Sequence, residues 1–327
     1  MRGRVGAGLR TPPQHRLLRL GMGQDGVLTV FDAAPGGFRM PVPETPVPEI
    51  PAPEIPGPLV GSDWLAERLG GVVVFDASVG AHRRAPVRIP GARPFDLDGA
   101  LSDHTAAAAH TMPSPADFAE AMCGLGVHDT DAVVVYDGAG IYSSARAWWM
   151  LRAMGFDRVA VLDGGLPAWV AAGLGVEAEA AAYEGPRGSF TARPRPGLLV
   201  DAGVVAGALA DPAAAVFDAR SRGRFAGTAP EPRPGLRGGH MPGALNLPFG
   251  ELQGPDGLMR PAGELREAFG ALAGERERLF FSCGSGVTAC VLALGATLAG
   301  YGRTAVYDGS WSEWGMPSEL RPVVTGP

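Results

Sequence analysis

Residues 133–145, VVVYDGAGIYSSA, return at 279–290 as LFFSCGSGVTAC. Three more blocks recur in the same order around them: VVFDAS at 73–78 as AVFDAR at 215–220, IPGA at 89–92 as MPGA at 241–244, and VAVLDGGLPAW at 159–169 as TAVYDGSWSEW at 304–314. Pairing Asp76 with Asp218, Pro90 with Pro242, Asp137 with Cys283 and Asp163 with Asp308 gives separations of 142, 152, 146 and 145 positions. A near-constant offset over four ordered blocks means one fold used twice.

Each block reads as a short, continuously apolar strand ending in Asp, Cys or Gly, with helical stretches between. SSARAWWMLRAMG at 143–155 and TACVLALGATLAG at 288–300 are such stretches, each stopped by glycine. Alternating strand and helix predicts an α/β architecture, a parallel sheet covered by helices in each copy. The copies are expected at 59–175 and 201–327, joined through 176–200, where periodicity fades and Pro and Gly gather. Residues 41–58, PVPETPVPEIPAPEIPGP, forbid helix and read as an extended spacer. With VLTVF at 27–31 as the only apolar run before it, 1–58 is expected to be a disordered tail and spacer.

At 327 residues, 46% hydrophobic and 19% charged, the chain has the balance of a globular protein of two domains. No apolar run reaches the roughly 20 residues of a membrane span. The net charge is −6 without a basic block, so neither membrane nor nucleic acid is an expected partner. All 28 basic residues are arginines. Without lysine there is no Schiff base, no pyridoxal phosphate attachment and no phosphate-loop lysine, and anions must be met by guanidinium forks. Three irregularly spaced cysteines, Cys123, Cys283 and Cys290, make neither a disulfide framework nor a zinc site. No metal or organic cofactor is expected. The amino-terminal residues lack the apolar stretch of a secretory signal, and a reducing, cytoplasmic setting is the expectation.

The segment Ser282-Cys283-Gly284-Ser285-Gly286-Val287-Thr288 runs from a buried strand through a tight glycine loop into a helix. Such a loop turns backbone N–H groups inward at a helix N-terminus, a cradle for a thiolate or persulfide. Cys283 is therefore the candidate nucleophile. The first copy has Asp137 in that place, so the second copy is read as catalytic and the first as structural. Cys123 and Cys290 read as packing residues.

Cys283 through Thr288 resembles the active loop of 3-mercaptopyruvate sulfurtransferases in the tandem rhodanese family. Gly223-Arg224-Phe225 through Glu231-Pro232-Arg233, Gly239-His240-Met241-Pro242-Gly243-Ala244 and Asp308-Gly309-Ser310-Trp311-Ser312-Glu313-Trp314 carry the same resemblance, which extends over about 59–315. It implies that Cys283 carries sulfur as a persulfide and that Arg224 and Arg233 hold the donor's carboxylate and keto oxygen. It further implies that Gly284, Gly286, Val287 and Thr288 line the anion seat and that Ser285 relays a proton to the departing enolate. The acceptor would be a thiol, thioredoxin or cyanide. One departure stands out: where the family pattern reads His-Ile-Pro-Gly-Ala, this chain has Arg88 before Ile89, which puts a relay through that histidine in question. His240 is expected to brace its turn.

Gly284 and Ser285 carry no charge for a sulfonate, which favours mercaptopyruvate over thiosulfate as donor. A thiosulfate:cyanide sulfurtransferase and a non-catalytic rhodanese-like scaffold are the alternatives. Cysteine phosphatases place an arginine six residues after their cysteine; position 289 is alanine, so a phosphoryl group would lack its clamp.

Overall fold

The computed structural model of the protein describes residues 19–22, 28–31, 52–178 and 182–326. The chain divides into compact units at 1–49 and 50–327. In the first, β1 (Arg19–Met22) pairs antiparallel with β2 (Leu28–Phe31). The rest of the expected tail up to residue 51 lies outside the described residues.

Within the second unit the repeat appears as two parallel five-stranded sheets of identical connectivity. The first copy contributes β3 (Leu59–Val60), α1 (Ser62–Ala66), β4 (Val73–Asp76), β5 (Arg93–Pro94), α2 (Pro115–Gly124), β6 (Val133–Tyr136), α3 (Ser144–Ala153), β7 (Val159–Leu162) and α4 (Gly165–Ala171). The second contributes β8 (Leu199–Val200), α5 (Ala202–Ala210), β9 (Ala214–Asp218), α6 (Arg222–Ala226), β10 (Leu245–Asn246), α7 (Ala262–Ala273), β11 (Arg278–Ser282), α8 (Ala289–Leu298), β12 (Arg303–Tyr307) and α9 (Ser310–Trp314). The sheet orders are β5-β4-β6-β7-β3 and β10-β9-β11-β12-β8. Every residue of β4, β6, β7 and β9 is buried, as apolar strands covered on both faces must be. Pro94, which cannot donate to a ladder, stands in the edge strand β5.

Helices α3 and α8, which follow the two equivalent loops, pack on each other. Trp148, Trp149 and Met150 of α3 share one hydrophobic core with Val291, Leu292 and Leu294 of α8, so the copies are fused through their cores. Two pseudo-symmetric hydrogen bonds bolt the seam. The Met112 N–H donates to Asp308 (2.9 Å), and the Met259 N–H donates to Asp163 (2.9 Å).

The segments expected to be loose are anchored where they are described. Arg158 donates to the carbonyls of Ala52 (3.1 Å) and Pro53 (3.3 Å), and the Val161 N–H donates to Pro58, so 52–58 runs along the first copy. In the connection between copies, Phe190 is buried against Phe118 and Phe156. A single aromatic side chain there outweighs the local Pro and Gly content, since its burial contributes about 1.5–3 kcal/mol.

Truncating the shared core by Leu292→Ala is expected to cost about 2–5 kcal/mol and to shift one cooperative unfolding transition followed by tryptophan fluorescence. Two separated transitions, only one of them displaced, would contradict the fused core.

Candidate active site

The two equivalent loops differ in what receives their backbone N–H groups. In the first copy the Asp137 carboxylate is fully buried and accepts from the N–H groups of Ala139, Tyr142, Ser143 and Ser144 at 2.8–2.9 Å, while Gly138 donates to Ser78 (2.9 Å). The loop fold thus converges at least four donors on one anion. Burial pushes Asp137 above the ordinary carboxylate range, and these donors pull against that rise. In the second copy Cys283 takes the place of the aspartate, and the N–H groups of Gly284, Ser285, Gly286, Val287 and Thr288 donate to no protein acceptor among the described residues. Backbone donors left without a protein acceptor beside a cysteine, at the start of a helix, suit a sulfur anion on that residue.

The other polar groups of this loop are tied from behind by the segment after β12. Cys283 N–H donates to the Ser310 hydroxyl (3.1 Å), the Trp311 N–H donates to the Cys283 carbonyl (2.9 Å), and the Ser312 N–H and hydroxyl both donate to the Gly284 carbonyl (2.8 and 2.7 Å). Ser310 sits at φ +47°, a left-handed conformation rare outside glycine, and its counterpart in the first copy is Gly165 at φ +54°. The strain coincides with the hydroxyl's bond to Cys283.

Arg224 reaches the loop from α6. Its Nη2 lies so near Gly284 that a Cβ there would stand 3.1 Å away, which explains the glycine. Glu231, 3% exposed, bridges Arg224 to Arg220, which is itself paired with Asp218 and stacked 3.9 Å over the Trp311 ring. Arg224 is therefore held rigidly. Arg233 is half-buried and makes no ion pair among the described residues. Val287 and Thr288 are buried at the start of α8. Cys290 lies inside α8, its thiol pushed up to about 12 by burial and directed to the Gly286 carbonyl at 3.2 Å, which disfavours a thiolate there. His240 stacks on Phe225 with rings 3.7 Å apart and hydrogen-bonds its carbonyl, bracing its turn.

Three groups from the first copy complete the site, and sequence reasoning missed all of them. His110 Nδ1 lies 2.9 Å from the Ser285 hydroxyl, and its Nε2 lies 3.0 Å from Asp98. Because a carboxylate only accepts, Asp98 fixes the proton on Nε2 and leaves Nδ1 to accept from Ser285. Burial holds the His110 ring below the ordinary histidine value; Asp98 opposes this, and Arg233 and Arg146 add to it. Burial alone would raise Asp98, but the His110 and Gly80 hydrogen bonds and the Arg83 charge bring it below the usual range. The third group is Tyr142, edge-on to Phe249 and raised by burial and then by the Cys283 charge, with Arg224 and Arg233 opposing. Arg88, by contrast, is bound to Asp76 at 2.6 Å in a structural pair. The histidine that meets Ser285 comes from another segment, at His110, and not from the place that Arg88 occupies.

The sequence matches the family described as rhodanese-like domain twice, at 62–172 and 201–316. It is 41% identical over 273 residues to the 3-mercaptopyruvate sulfurtransferase of Escherichia coli strain K12, covering 80% of this chain and 96% of that one. It is 39% identical over 292 residues to thiosulfate/3-mercaptopyruvate sulfurtransferase 1, mitochondrial, of Arabidopsis thaliana, covering 80% and 77%. The crystal structure of SseA from Escherichia coli superposes with a TM-score of 0.69 at 38% identity, over 78% of this chain and 99% of that one.

Gly286 stands at φ +74°, and a Cβ on it would come within 2.9 Å of the Asp308 carbonyl. Gly286→Ala is expected to destabilise the protein by about 1–3 kcal/mol and to slow alkylation of Cys283 by iodoacetamide, measured by denaturation and mass spectrometry. Unchanged stability and alkylation would show the loop to be tolerant.

Proposed function

The chain belongs to the rhodanese-like domain family, and from that premise we propose that it is a sulfurtransferase that takes sulfur from 3-mercaptopyruvate onto Cys283 and releases pyruvate. The observation that carries the reading is the contrast between the loops: the first closes its N–H groups on Asp137, and those that follow Cys283 in the second have no protein acceptor among the described residues. Arg233, charged and without an ion pair among the described residues, and Arg224, steered by Glu231, suit the carboxylate and keto oxygen of a 2-oxo acid. No charged side chain stands at 284 or 285 to meet a sulfonate, so thiosulfate is the weaker donor.

In the first half-reaction the Cys283 thiolate attacks the donor sulfur. An S–S bond forms, the C–S bond breaks, and its electron pair leaves on carbon as the pyruvate enolate. Ser285, hydrogen-bonded to His110 Nδ1, passes the donor's thiol proton to that imidazole and returns it to the enolate carbon, and Asp98 stabilises the transient imidazolium. Arg224 and Arg233 hold the enolate oxygen and carboxylate while charge develops there. The loop N–H groups hold the persulfide. In the second half-reaction a thiol, thioredoxin or cyanide attacks the outer sulfur and restores the Cys283 thiolate. This chemistry requires no metal or organic cofactor from the residues described. A reducing compartment such as the cytoplasm suits a chain whose three cysteines are free, and no helix among the described residues is long and apolar enough to cross a membrane.

Steady-state pyruvate release and thiocyanate formation test the donor. Arg233→Gln is expected to raise KM for 3-mercaptopyruvate about 10- to 100-fold, the loss of a charged hydrogen bond, with kcat for the residual turnover less affected. An unchanged KM, or faster turnover of thiosulfate than of mercaptopyruvate by the parent protein, would overturn the donor assignment. Because neutral His110 accepts the proton, kcat is expected to fall with acidification below the ordinary histidine value, and His110→Asn is expected to flatten that acid limb. An acid limb that persists in His110→Asn would assign it to another group.

A further inference from the structure

The pseudo-symmetry of the two copies separates what docks the domains from what serves the site. His110 sits at φ +60°, in the left-handed region that favours glycine. The segment His110-Thr111-Met112 has as its counterpart Gly257-Leu258-Met259, on the opposite side of the seam, where glycine occupies the same conformation at φ +77°. Each segment offers the N–H of its methionine to the aspartate of the opposite copy, Asp308 or Asp163. On the glycine side the helix of the same copy supplies no such grip among the described residues: α8 has Val291 at the position where α3 has Arg146, and the further polar bond there runs from Gln253 Nε2 to the Ile141 carbonyl (2.8 Å). On the histidine side Arg146 is completely buried, and its Nη2 donates both to Asp308 (2.6 Å) and to the His110 carbonyl (2.8 Å). The peptide carrying the imidazole is thus gripped at the carbonyl of 110 by Arg146 and at the N–H of 112 by Asp308.

We propose that Arg146 and Asp308 are positioning residues: their ion pair across the domain seam holds His110 in a conformation that would otherwise require glycine, and so aims its Nδ1 at Ser285. The valine at the equivalent place in α8 shows that the fold does not need an arginine there for docking. The Nε and Nη1 atoms of Arg146 find no hydrogen-bond partner, and Nη1 lies 3.3 Å from where a Cβ on Gly286 would stand, so the same guanidinium also lies beneath the catalytic loop. A buried cation with two unpaired donors is costly for stability, and its retention at the catalytic side alone is accounted for by this role. The inference rests on the proposed relay through His110.

The test is a mutant cycle of His110→Asn, Arg146→Met and their double, with Asp308→Ala and the conservative Arg146→Lys alongside, each checked for folding by thermal melting. Arg146→Met and His110→Asn are each expected to lower kcat for pyruvate release by about 10- to 100-fold, the lower part of the range for general acid–base groups, with KM within about threefold. The double variant is expected to be no slower than the worse single, since residues acting as a unit are not additive. Arg146→Lys, with one nitrogen to bridge two acceptors, is expected to recover part of the loss. Losses that multiply in the double variant, or a loss in KM with kcat retained, would overturn the proposal.

Histidine-selective NMR titration distinguishes failure of the positioning from failure of the relay. The charged and polar groups around His110 are Asp98, Ser285, Arg233 and Arg146, with Asp308 behind Arg146. Removing the Asp308 charge would by Coulomb's law lower the His110 titration further, whereas releasing the ring from its buried seat would raise it toward the ordinary value. A rise in Asp308→Ala is the expected result, even if His110→Asn should leave kcat intact and so refute the relay. A fall, or no movement, would show that Asp308 does not hold the ring in place.

Discussion

A backbone loop at the mouth of a helix leaves N–H groups that must find an acceptor, and this molecule meets that requirement twice in different ways. In the first copy Asp137 supplies a carboxylate from within the chain, and the loop becomes a closed, rigid corner. In the second a loop one residue shorter follows Cys283, while Ser310, Trp311 and Ser312 tie its remaining polar groups from behind. One fold used twice thus carries a loop closed on its own aspartate and a loop with a cysteine in that place.

The first copy does more than brace the second. Fusion of α3 and α8 into one core brings its irregular segment 98–112 against the Cys283 loop, where His110 meets Ser285 and Asp98 backs His110. Strain is concentrated at this seam. The two non-glycine residues with positive φ among those described, His110 and Ser310, both have glycine at the equivalent place in the other copy, and both hydrogen-bond the loop that holds Cys283. At these two positions the halves depart from symmetry toward that cysteine.

The repeat and the α/β architecture are legible in the sequence because parallel strands buried on both faces leave continuous apolar runs, and Val133–Tyr136 and Leu279–Ser282 show them plainly. The loop around Cys283 is legible because glycines at 284 and 286 mark a close approach of Arg224 and Asp308. His110 is not. It lies in LSDHTAAAAHTMP, a stretch with neither helical nor strand periodicity, and its partner Ser285 stands 175 positions away. The family pattern drew attention to the histidine missing at Arg88 instead, although Arg88 serves Asp76 at the far end of a strand. A signal was present in the pairing of His110-Thr111-Met112 with Gly257-Leu258-Met259, a histidine opposite a glycine, but that pairing becomes visible only once the seam is known. Likewise Arg146 reads as one polar residue of a helix, and nothing local announces that its side chain is completely buried.

In the proposed reaction Cys283, alone among the three cysteines, carries a transferable sulfur. Peptide-resolved mass spectrometry after brief exposure to 3-mercaptopyruvate, before any acceptor is added, tests it directly. A gain of one sulfur atom on the Cys283 peptide is expected, reversed by cyanide, with none on the peptides of Cys123 or Cys290 and none in Cys283→Ser. Sulfur on Cys290 or Cys123, or pyruvate release that persists in Cys283→Ser, would contradict it.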